Sequence, residues 1–432
     1  MLSLLGVLLA ILTLILLIYK RLQLIPASLL CVLILACTSG VSFPEMVMDH
    51  YAVSLAGFIA KYFMVFVTNA LFGKVMEETL LVSALSRMIG RAFGDRNAAY
   101  GALLVTVLLS YGGVSAFVIV FTVYPIFLAT FQKADLPRKY IPACIMSATC
   151  TFPLSMFPGG AQLNNIIPAQ YMGTSPMAAP AVGLVCSAAT LTFLILYFRH
   201  LFGRARKRGE HFEASEEILE RIARLETDPG ILPWLSLLPM VLIILLINLF
   251  HMDLSYAVLA GTALAMVIGW KNLPNKLRTI NDGVLKVGPA MVTTAASVGF
   301  GGAVLACSGA QIILNAIASL PVNPIVSLSL ASGFAGMLTG NGGGAADVAM
   351  SLLSGQYLAM GIQPEILHRV VAIATGGFSC LPHNGMLITV TDTCGFSARE
   401  CYSCIFISTV LASAVGLVIA VALGCLFYPI LP

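Results

Sequence analysis

The sequence predicts an all-α polytopic membrane protein made of two inverted repeats, each with five transmembrane helices and one re-entrant hairpin. Three observations carry this. First, 59% of the 432 residues are hydrophobic and only 10% are charged, with a mean hydropathy of +0.96. A soluble domain carries roughly 25% charged residues. Second, Lys and Arg cluster in a few connections between apolar stretches. Third, two kinds of glycine-rich interruption recur about half a chain apart. Tyr111-Gly112-Gly113-Val114-Ser115 returns as Asn341-Gly342-Gly343-Gly344-Ala345, and Phe157-Pro158-Gly159-Gly160-Ala161 returns as Leu381-Pro382-His383-Asn384-Gly385.

The apolar segments run over 2–19, 24–41, 53–73, 98–131, 139–171, 176–199, 231–250, 254–270, 283–305, 322–355, 366–397 and 404–430. Met1 to Tyr19 has its basic residues after the apolar stretch, not before it. This reads as a retained helix and not a cleaved signal peptide. One crossing needs ~20 residues, so 98–131, 139–171, 322–355 and 366–397 are too long for simple spans. Arg91 and Arg96 precede 98–131, and Lys133, Arg138 and Lys139 follow it. Cytoplasmic loops are rich in Lys and Arg, so both ends of 98–131 lie on one side. The segment is therefore a re-entrant hairpin turning at Tyr111-Gly112-Gly113. The matching hairpin, 322–355, enters from the opposite face and turns at Gly340–Gly344. Segments 139–171 and 366–397 are crossings broken at Pro158-Gly159-Gly160 and Pro382-His383-Asn384-Gly385.

Residues 1–199 thus form the first repeat and 230–432 the second. They are joined by a cytoplasmic linker, 200–229, with a short amphipathic helix around Ala214–Ile222. An odd number of crossings per repeat inverts one relative to the other. On this topology 21 of the 23 Lys and Arg are cytoplasmic, all but Lys61 and Arg369. Segments 74–97 and 303–320 are expected to lie along the membrane surface, the first because Leu80, Leu81, Ala84 and Met88 share a helical face.

Several functions are excluded. A net charge of +4 distributed over short loops offers no nucleic-acid surface. No Ser/Lys pair, paired-Asp motif or His-Glu-x-x-His helix is present, so an enzyme is not expected. Neither a cofactor nor a metal is implied. The eleven cysteines lie mostly in apolar runs and read as packing residues, Cys401-x-x-Cys404 included.

At each break a new helix begins near the bilayer midplane, with free amides and the positive end of its dipole. Four such starts suit an anion without a buried Arg or Lys. The expected substrate-binding residues are Ser110, Tyr111, Gly112, Gly113, Ser115, Gly159, Gly160, Gln162, Asn164, Asn165, Asn341, Gly342, Gly343, Gly344, Asn384 and Gly385, with Thr339 and Thr391 nearby. Each Asn or Ser has a plainer alternative, capping the next helix. Ionisable groups inside a membrane are functional candidates, so Asp347, His383 and Asp392 are the candidates for proton coupling. Asp347 has the alternative of capping its own helix.

At these residues the chain resembles the gluconate permease (GntP) family of the ion transporter superfamily, over nearly its full length. The likeness is carried by Ser110-Tyr111-Gly112-Gly113-Val114-Ser115, by Gln162-x-x-Asn165-Ile166-Ile167-Pro168-Ala169-Gln170-Tyr171, by Gly340-Asn341-Gly342-Gly343-Gly344-Ala345-Ala346-Asp347 and by Leu381-Pro382-His383-Asn384-Gly385. It departs from the family's Pro-Gly-Thr/Ser-x-Gln pattern at Gly160, where a hydroxyl is replaced. The resemblance implies a permease of the bacterial cytoplasmic (inner) membrane for a small hydroxy-monocarboxylate such as a gluconate-like sugar acid, coupled to a proton. It also implies a scaffold domain that forms a homodimer, a transport domain with two hairpins, and elevator-type alternating access. Sodium coupling, or a hydroxybutyrate- or D-serine-like substrate, is the alternative; an intramembrane enzyme or a channel is more remote.

Overall fold

The helices begin and end where the sequence supplies caps, glycines and prolines, and those ends decide what the molecule can do. The structure, a computed structural model, describes residues 2–20, 22–113, 116–216, 218–219, 222, 230–250, 252–273, 275–285 and 287–430. Every regular element among the described residues is helical.

In the first half, α1 (Leu2–Tyr19) and α2 (Leu24–Ser39) pack as a pair. Gly40 ends α2 in a left-handed conformation, φ 80°, that glycine adopts without strain. A short turn capped by Ser42 runs through a π-helical segment, Met46–Ala52, into α3 (Val53–Glu78). Then come α4 (Leu81–Phe93), the hairpin of α5 (Ala98–Tyr111) and α6 (Ala116–Ala134), and the broken pair α7 (Ile141–Cys150) and α8 (Leu163–Met172). The long α9 (Pro180–Lys207) closes the half.

The second half follows. It holds α10 (Leu238–Asn248), α11 (Leu254–Ile268), α12 (Lys276–Leu285), α13 (Val287–Ala306) and α14 (Ser308–Ala318). The hairpin of α15 (Pro324–Thr339) and α16 (Gly342–Ala359) follows, then the broken pair α17 (Pro364–Phe378) and α18 (Gly385–Cys394). A bent final span, α19 (Ala398–Phe406) and α20 (Ala412–Phe427), contains a second π turn at Ile407–Leu411.

The halves interlock reciprocally. Helix α8 of the first half packs on α16 and α17 of the second, and α18 of the second packs on α6 and α7 of the first. One large apolar cluster surrounds the hairpins and broken helices; a smaller one is built from α1, α2, α13 and α14. Small residues allow the closest approaches. A Cβ on Gly377 would sit 2.2 Å from Ser413 Cβ, so α17 and the final span touch nearly backbone to backbone.

Three expectations need correction. The surface segment expected at 74–97 is shorter: α3 continues to Glu78, and only α4 is separate, after a turn in which Leu80 has φ 58°. Its counterpart begins after Ala306, where the chain bends by 78° between Met291–Ala306 and Ser308–Ala318. Lys61 and Arg369, expected outside, lie within helices, because Phe43–Glu78 is one 36-residue helical run and Pro364–Phe378 starts before Arg369. Four described helices are long and apolar enough to cross a membrane alone, or five counting the bent pair; α2, α5, α11 and α15 are shorter apolar helices. Breaks divide the remaining apolar sequence. The linker helix around Ala214–Ile222 lies in part outside the described residues.

The connection after α9 is clipped to the turn after α6. His211 Nδ1 lies 2.6 Å from Asp135 Oδ2, and the Phe212 amide donates to Asp135 Oδ1 at 3.0 Å. That amide, then His211, holds the Asp135 carboxyl below its ordinary value of 3.8, and Asp135 raises His211 above 6.5. A lowered acid stabilises above its unfolded pKa, and that contribution is lost as pH falls through the folded value. A raised histidine stabilises below its unfolded pKa, and that contribution is lost as pH rises through the folded value. The clip is therefore strongest from mildly acidic to neutral pH. Limited trypsin cleavage at Arg208 should accelerate between about pH 6 and pH 8.5 beyond the change in trypsin's own activity, and His211→Ala should remove that difference.

Candidate functional site

A glycine interrupting a membrane helix leaves carbonyls and amides without partners. Here the structure brings all four interruptions to one place. They border a cavity of about 90 Å³, where a buried water needs roughly 10–15 Å³. The space suits several waters or a small organic anion.

Each break contributes. Gly113, with φ 89°, lines the cavity at the tip of the first hairpin, and a Cβ there would lie 2.8 Å from Ala161 Cβ. Ala161, Gln162 and Asn164 line it at the start of α8; Asn341, Gly342 and Gly343 at the start of α16; Ser379, Asn384 and Met386 around the start of α18. Ala116, the first residue of α6, also borders it. Among the described residues no Asp, Glu, Lys or Arg lines it.

Helix ends of both signs meet here, and the two are treated differently. The carbonyl ends are occupied: Gln162 Nε2 donates to the Ser110 carbonyl, which ends α5, and Asn384 Nδ2 donates to the Ser379 carbonyl, which follows α17, at 3.0 Å. Gly342 and Gly343, the first residues of α16, border the cavity with amides that have no intrahelical acceptor. With these two carbonyls occupied, the uncapped Gly342 and Gly343 amides add a positive potential at the cavity.

The capping alternative and the cavity reading both apply to Asn341 and Asn384. Asn341 Oδ1 accepts from the Gly344 amide at 2.8 Å, and Asn384 Oδ1 accepts from the Leu387 amide at 2.9 Å. Asn164 Nδ2 donates to Thr375 Oγ1 at 3.1 Å, which fixes its orientation. Tyr111 lies behind the first turn, donating to the Pro158 carbonyl at 2.9 Å, and Gly112 is buried beside Met240. Gly159, φ 77°, donates its amide to the Pro176 carbonyl at 3.0 Å. Gly160 accepts from Asn165 Nδ2 at 2.9 Å. Gly385 is buried at the start of α18. Ser115 lies outside the described residues.

Asn165 does not line the cavity; it faces Arg369, which the sequence reading placed outside. Arg369 is fully buried. Its guanidinium donates to the carbonyls of Ala178, Ser155 and Pro176, and at 3.0 Å to Asn165 Oδ1. His368 Nε2 also meets Asn165 Oδ1, at 3.1 Å. A charge is thus stationed behind the start of α8, outside the cavity wall. The available signal was an arginine inside an apolar run, itself a functional suspect.

The coupling candidates separate. His383 is buried, and neither ring nitrogen makes a hydrogen bond of ordinary geometry, although the Met337 backbone faces the ring. It packs on Gly340, φ 59°, where a Cβ would lie 2.4 Å from His383 Cδ2. Asp347 does not cap α16, since Asn341 does. Instead Asp347 Oδ1 accepts from Lys61 Nζ at 2.6 Å, Tyr171 Oη at 3.2 Å and Tyr62 Oη at 3.4 Å, which ties α16 to α3 and α8. Asp392 is exposed near the far end of α18 and does not line the cavity. Thr339 and Thr391 bond to backbone carbonyls.

Sequence reading missed Asn69 of α3, which lines the cavity and whose Oδ1 makes no hydrogen bond among the described residues. A lone amide in the run 53–73 was the signal. Ser110 Oγ is likewise buried without a partner.

The chain is 31% identical over 404 residues to the uncharacterized transporter YxjC of Bacillus subtilis, covering 83% of this chain and 85% of that one. The chain belongs to the family of YxjC. No protein-family model matches it. A solved structure of Neisseria gonorrhoeae MtrF, described as illuminating a class of antimetabolite efflux pumps, superposes with a TM-score of 0.51 at 14% identity over 91% of this chain and 87% of that one. That likeness shows a shared fold. This member of the YxjC family is an all-helical membrane transporter, not an enzyme.

Arg369→Leu should strand at least the Ala178 and Ser155 carbonyls, at ~1–3 kcal/mol per buried orphan, while Asn165 Oδ1 keeps His368 Nε2. The expected total is about 3 kcal/mol or more, measured as a fall in the thermal unfolding midpoint of the purified chain. Arg369→Lys, with fewer donors in a different geometry, should recover only part of it.

Proposed function

We propose that the protein is a secondary transporter that imports a small hydroxy-monocarboxylate, of the gluconate-like sugar-acid class, together with a proton. The observation that carries this reading is that four helix starts, two from each half, border one cavity with no charged side chain among its described lining residues. Helix N-termini attract carboxylates. Asn69 Oδ1, a buried cavity-lining atom without a hydrogen-bond partner among the described residues, would bond a substrate hydroxyl. The proposed binding set is the cavity-lining group Gly113, Gln162, Asn164, Asn341, Gly342, Gly343 and Asn384, with Asn69 added. Ser110, Tyr111, Gly112, Ser115, Gly159, Gly160, Asn165, Gly344 and Gly385 shape the turns around it.

Coupling is assigned to His383 and Asp347. A proton on His383 adds a cation next to the hairpin tip, which favours anion entry. A proton on Asp347 removes the acceptor that holds Lys61, Tyr62 and Tyr171, which frees α16 from α3 and α8. The reciprocal packing of α8 on α16 and α17, and of α18 on α6 and α7, supports residues 1–199 and 230–432 as inverted repeats joined by the linker 200–229. In that reading 98–131 and 322–355 are re-entrant, and 139–171 and 366–397 are broken crossings. The separate apolar cluster of α1, α2, α13 and α14 supports a scaffold body distinct from the hairpin-bearing body, with elevator-type movement between them. A homodimer in the bacterial cytoplasmic membrane, of the gluconate permease type, completes the reading.

The test is uptake into proteoliposomes from a panel of gluconate, other sugar acids, hydroxybutyrate and D-serine under an inward proton gradient. At least one sugar acid should accumulate, unchanged when choline replaces sodium. Asp347→Asn and His383→Gln should each lower gradient-driven uptake by about tenfold, within the range of ordinary coupling energies. Gly342→Ala, whose Cβ would lie 2.7 Å from Asn164 Oδ1, should displace that side chain and weaken substrate binding while leaving the unfolding midpoint unchanged. If no acid accumulates, or if only outward transport is seen, import by symport is wrong. Full uptake by both coupling variants would remove the proton assignment alone.

A further inference from the structure

A second cavity, of about 1210 Å³, lies between α5, α7 and α9, apart from the first. Its walls are apolar, including Leu104 on α5, Phe152 after α7, and Leu191 and Ile195 on α9. Leu104, Leu191 and Ile195 are exposed, so the groove opens on the surface of a molecule whose surroundings are hydrocarbon. One end carries Arg96, Arg199 and Arg206, and no carboxylate lines it among the residues whose side chains are described. Arg206 is braced, donating to the Arg96 carbonyl at 3.2 Å and the Ala134 carbonyl at 3.5 Å. Among the described residues Arg199 has no ion pair. The other end is Tyr111 and Phe157, whose rings meet at 5.0 Å beside the first break.

We propose that this groove binds an anionic phospholipid, its phosphate held by the three arginines and its acyl chains lying along α5 toward Tyr111. Charge complementarity selects the occupant. Guanidinium groups clustered beside an apolar slot match a phosphate on a hydrocarbon tail, and basic pockets between membrane helices on the cytoplasmic side bind anionic head groups. Length agrees. The fifteen-residue stretch from Asn97 to Tyr111 spans roughly 21 Å at 1.5 Å per residue, enough for one leaflet of a ~30 Å hydrocarbon core. A zwitterionic lipid would place a second cation against three arginines. A small carboxylate would leave the apolar length unfilled. The bound chain ends on the residues that hold the first turn, so the lipid braces the cavity's hairpin from outside. The inference is independent of which substrate the transporter carries.

Native mass spectrometry of the full chain in detergent, titrated with dioleoyl phosphatidylglycerol or dioleoyl phosphatidylcholine, tests it without a transport assay. The unmodified protein should retain the first phosphatidylglycerol at least about fivefold more tightly than phosphatidylcholine. Arg199→Gln should remove about fivefold of that preference, the contribution of one basic side chain near an anionic head group. Gly203→Phe fills the groove at a position where a Cβ meets nothing within 4 Å, and it should lower occupancy by both lipids. Equal retention of the two lipids by the unmodified protein would overturn the proposal. So would phosphatidylglycerol binding unchanged by Arg199→Gln, or glycerol phosphate alone displacing the lipid at equal concentration, since the acyl chains would then contribute nothing.

Discussion

Everything in this fold follows from one constraint: a helix broken inside a membrane must have its freed carbonyls satisfied by the protein itself. The molecule meets this with side-chain amides and one guanidinium. Gln162 takes the carbonyl ending the first hairpin arm, Asn384 takes the carbonyl after α17, and Asn165 takes the Gly160 and Pro176 carbonyls. Arg369 takes the Ala178 and Ser155 carbonyls and shares that of Pro176. All of these are donors spent on acceptors. The consequence is electrostatic: the negative helix ends are capped, while the positive ends of α6, α8, α16 and α18 border a shared space. Anion attraction is therefore a by-product of keeping the breaks folded.

The same constraint explains which features the amino-acid sequence disclosed. Gly113, Gly159 and Gly340 adopt φ values of 89°, 77° and 59°, a local requirement written in the local residue. So are the Asn341 and Asn384 caps. The turns and the helix starts after them were legible for that reason. Asn69, Lys61 and Arg369 were not, because each acquires its role from residues far away in the chain: Lys61 from Asp347 and Arg369 from Ala178, Ser155 and Asn165. Composition shows that a charge in an apolar run needs a partner, but not which one. The charge-counting rule also assigned Lys61 and Arg369 to the outer side, because it treats every cation as a marker of a membrane face. Both are within helices, one in a cross-helix ion pair and one fully buried.

The two cavities divide the work of recognition by chemistry. The small one sets a few amides and helix starts from both halves among apolar side chains. The large one is apolar with an arginine end, and Tyr111 and Phe157 line it beside the first break. Tyr111 bonds the Pro158 carbonyl and packs edge-on to Phe157, so this pair is a wall held from both sides. A change of packing in the outer groove reaches the inner cavity by moving that wall, with no change to any cavity-lining side chain.

Placing Arg369 behind Asn165 and not in the cavity has a physical rationale. A guanidinium facing a carboxylate in a dry site would form a bidentate pair whose separation leaves a buried charge, at roughly 3–5 kcal/mol. A carrier must release what it binds. One helix start contributes on the order of 1–2 kcal/mol in a partly buried geometry, so four supply roughly 4–8 kcal/mol, the range of millimolar to micromolar binding. That is enough to select an anion and little enough to let it leave. Partial charges also need no counter-ion when the site empties, because each amide belongs to a helix that remains intact. Arg369, meanwhile, keeps its hydrogen bonds to backbone carbonyls whether or not an anion is present. Its charge adds to the potential without becoming a ligand, and the cavity can be emptied without leaving an unpaired ion in its wall.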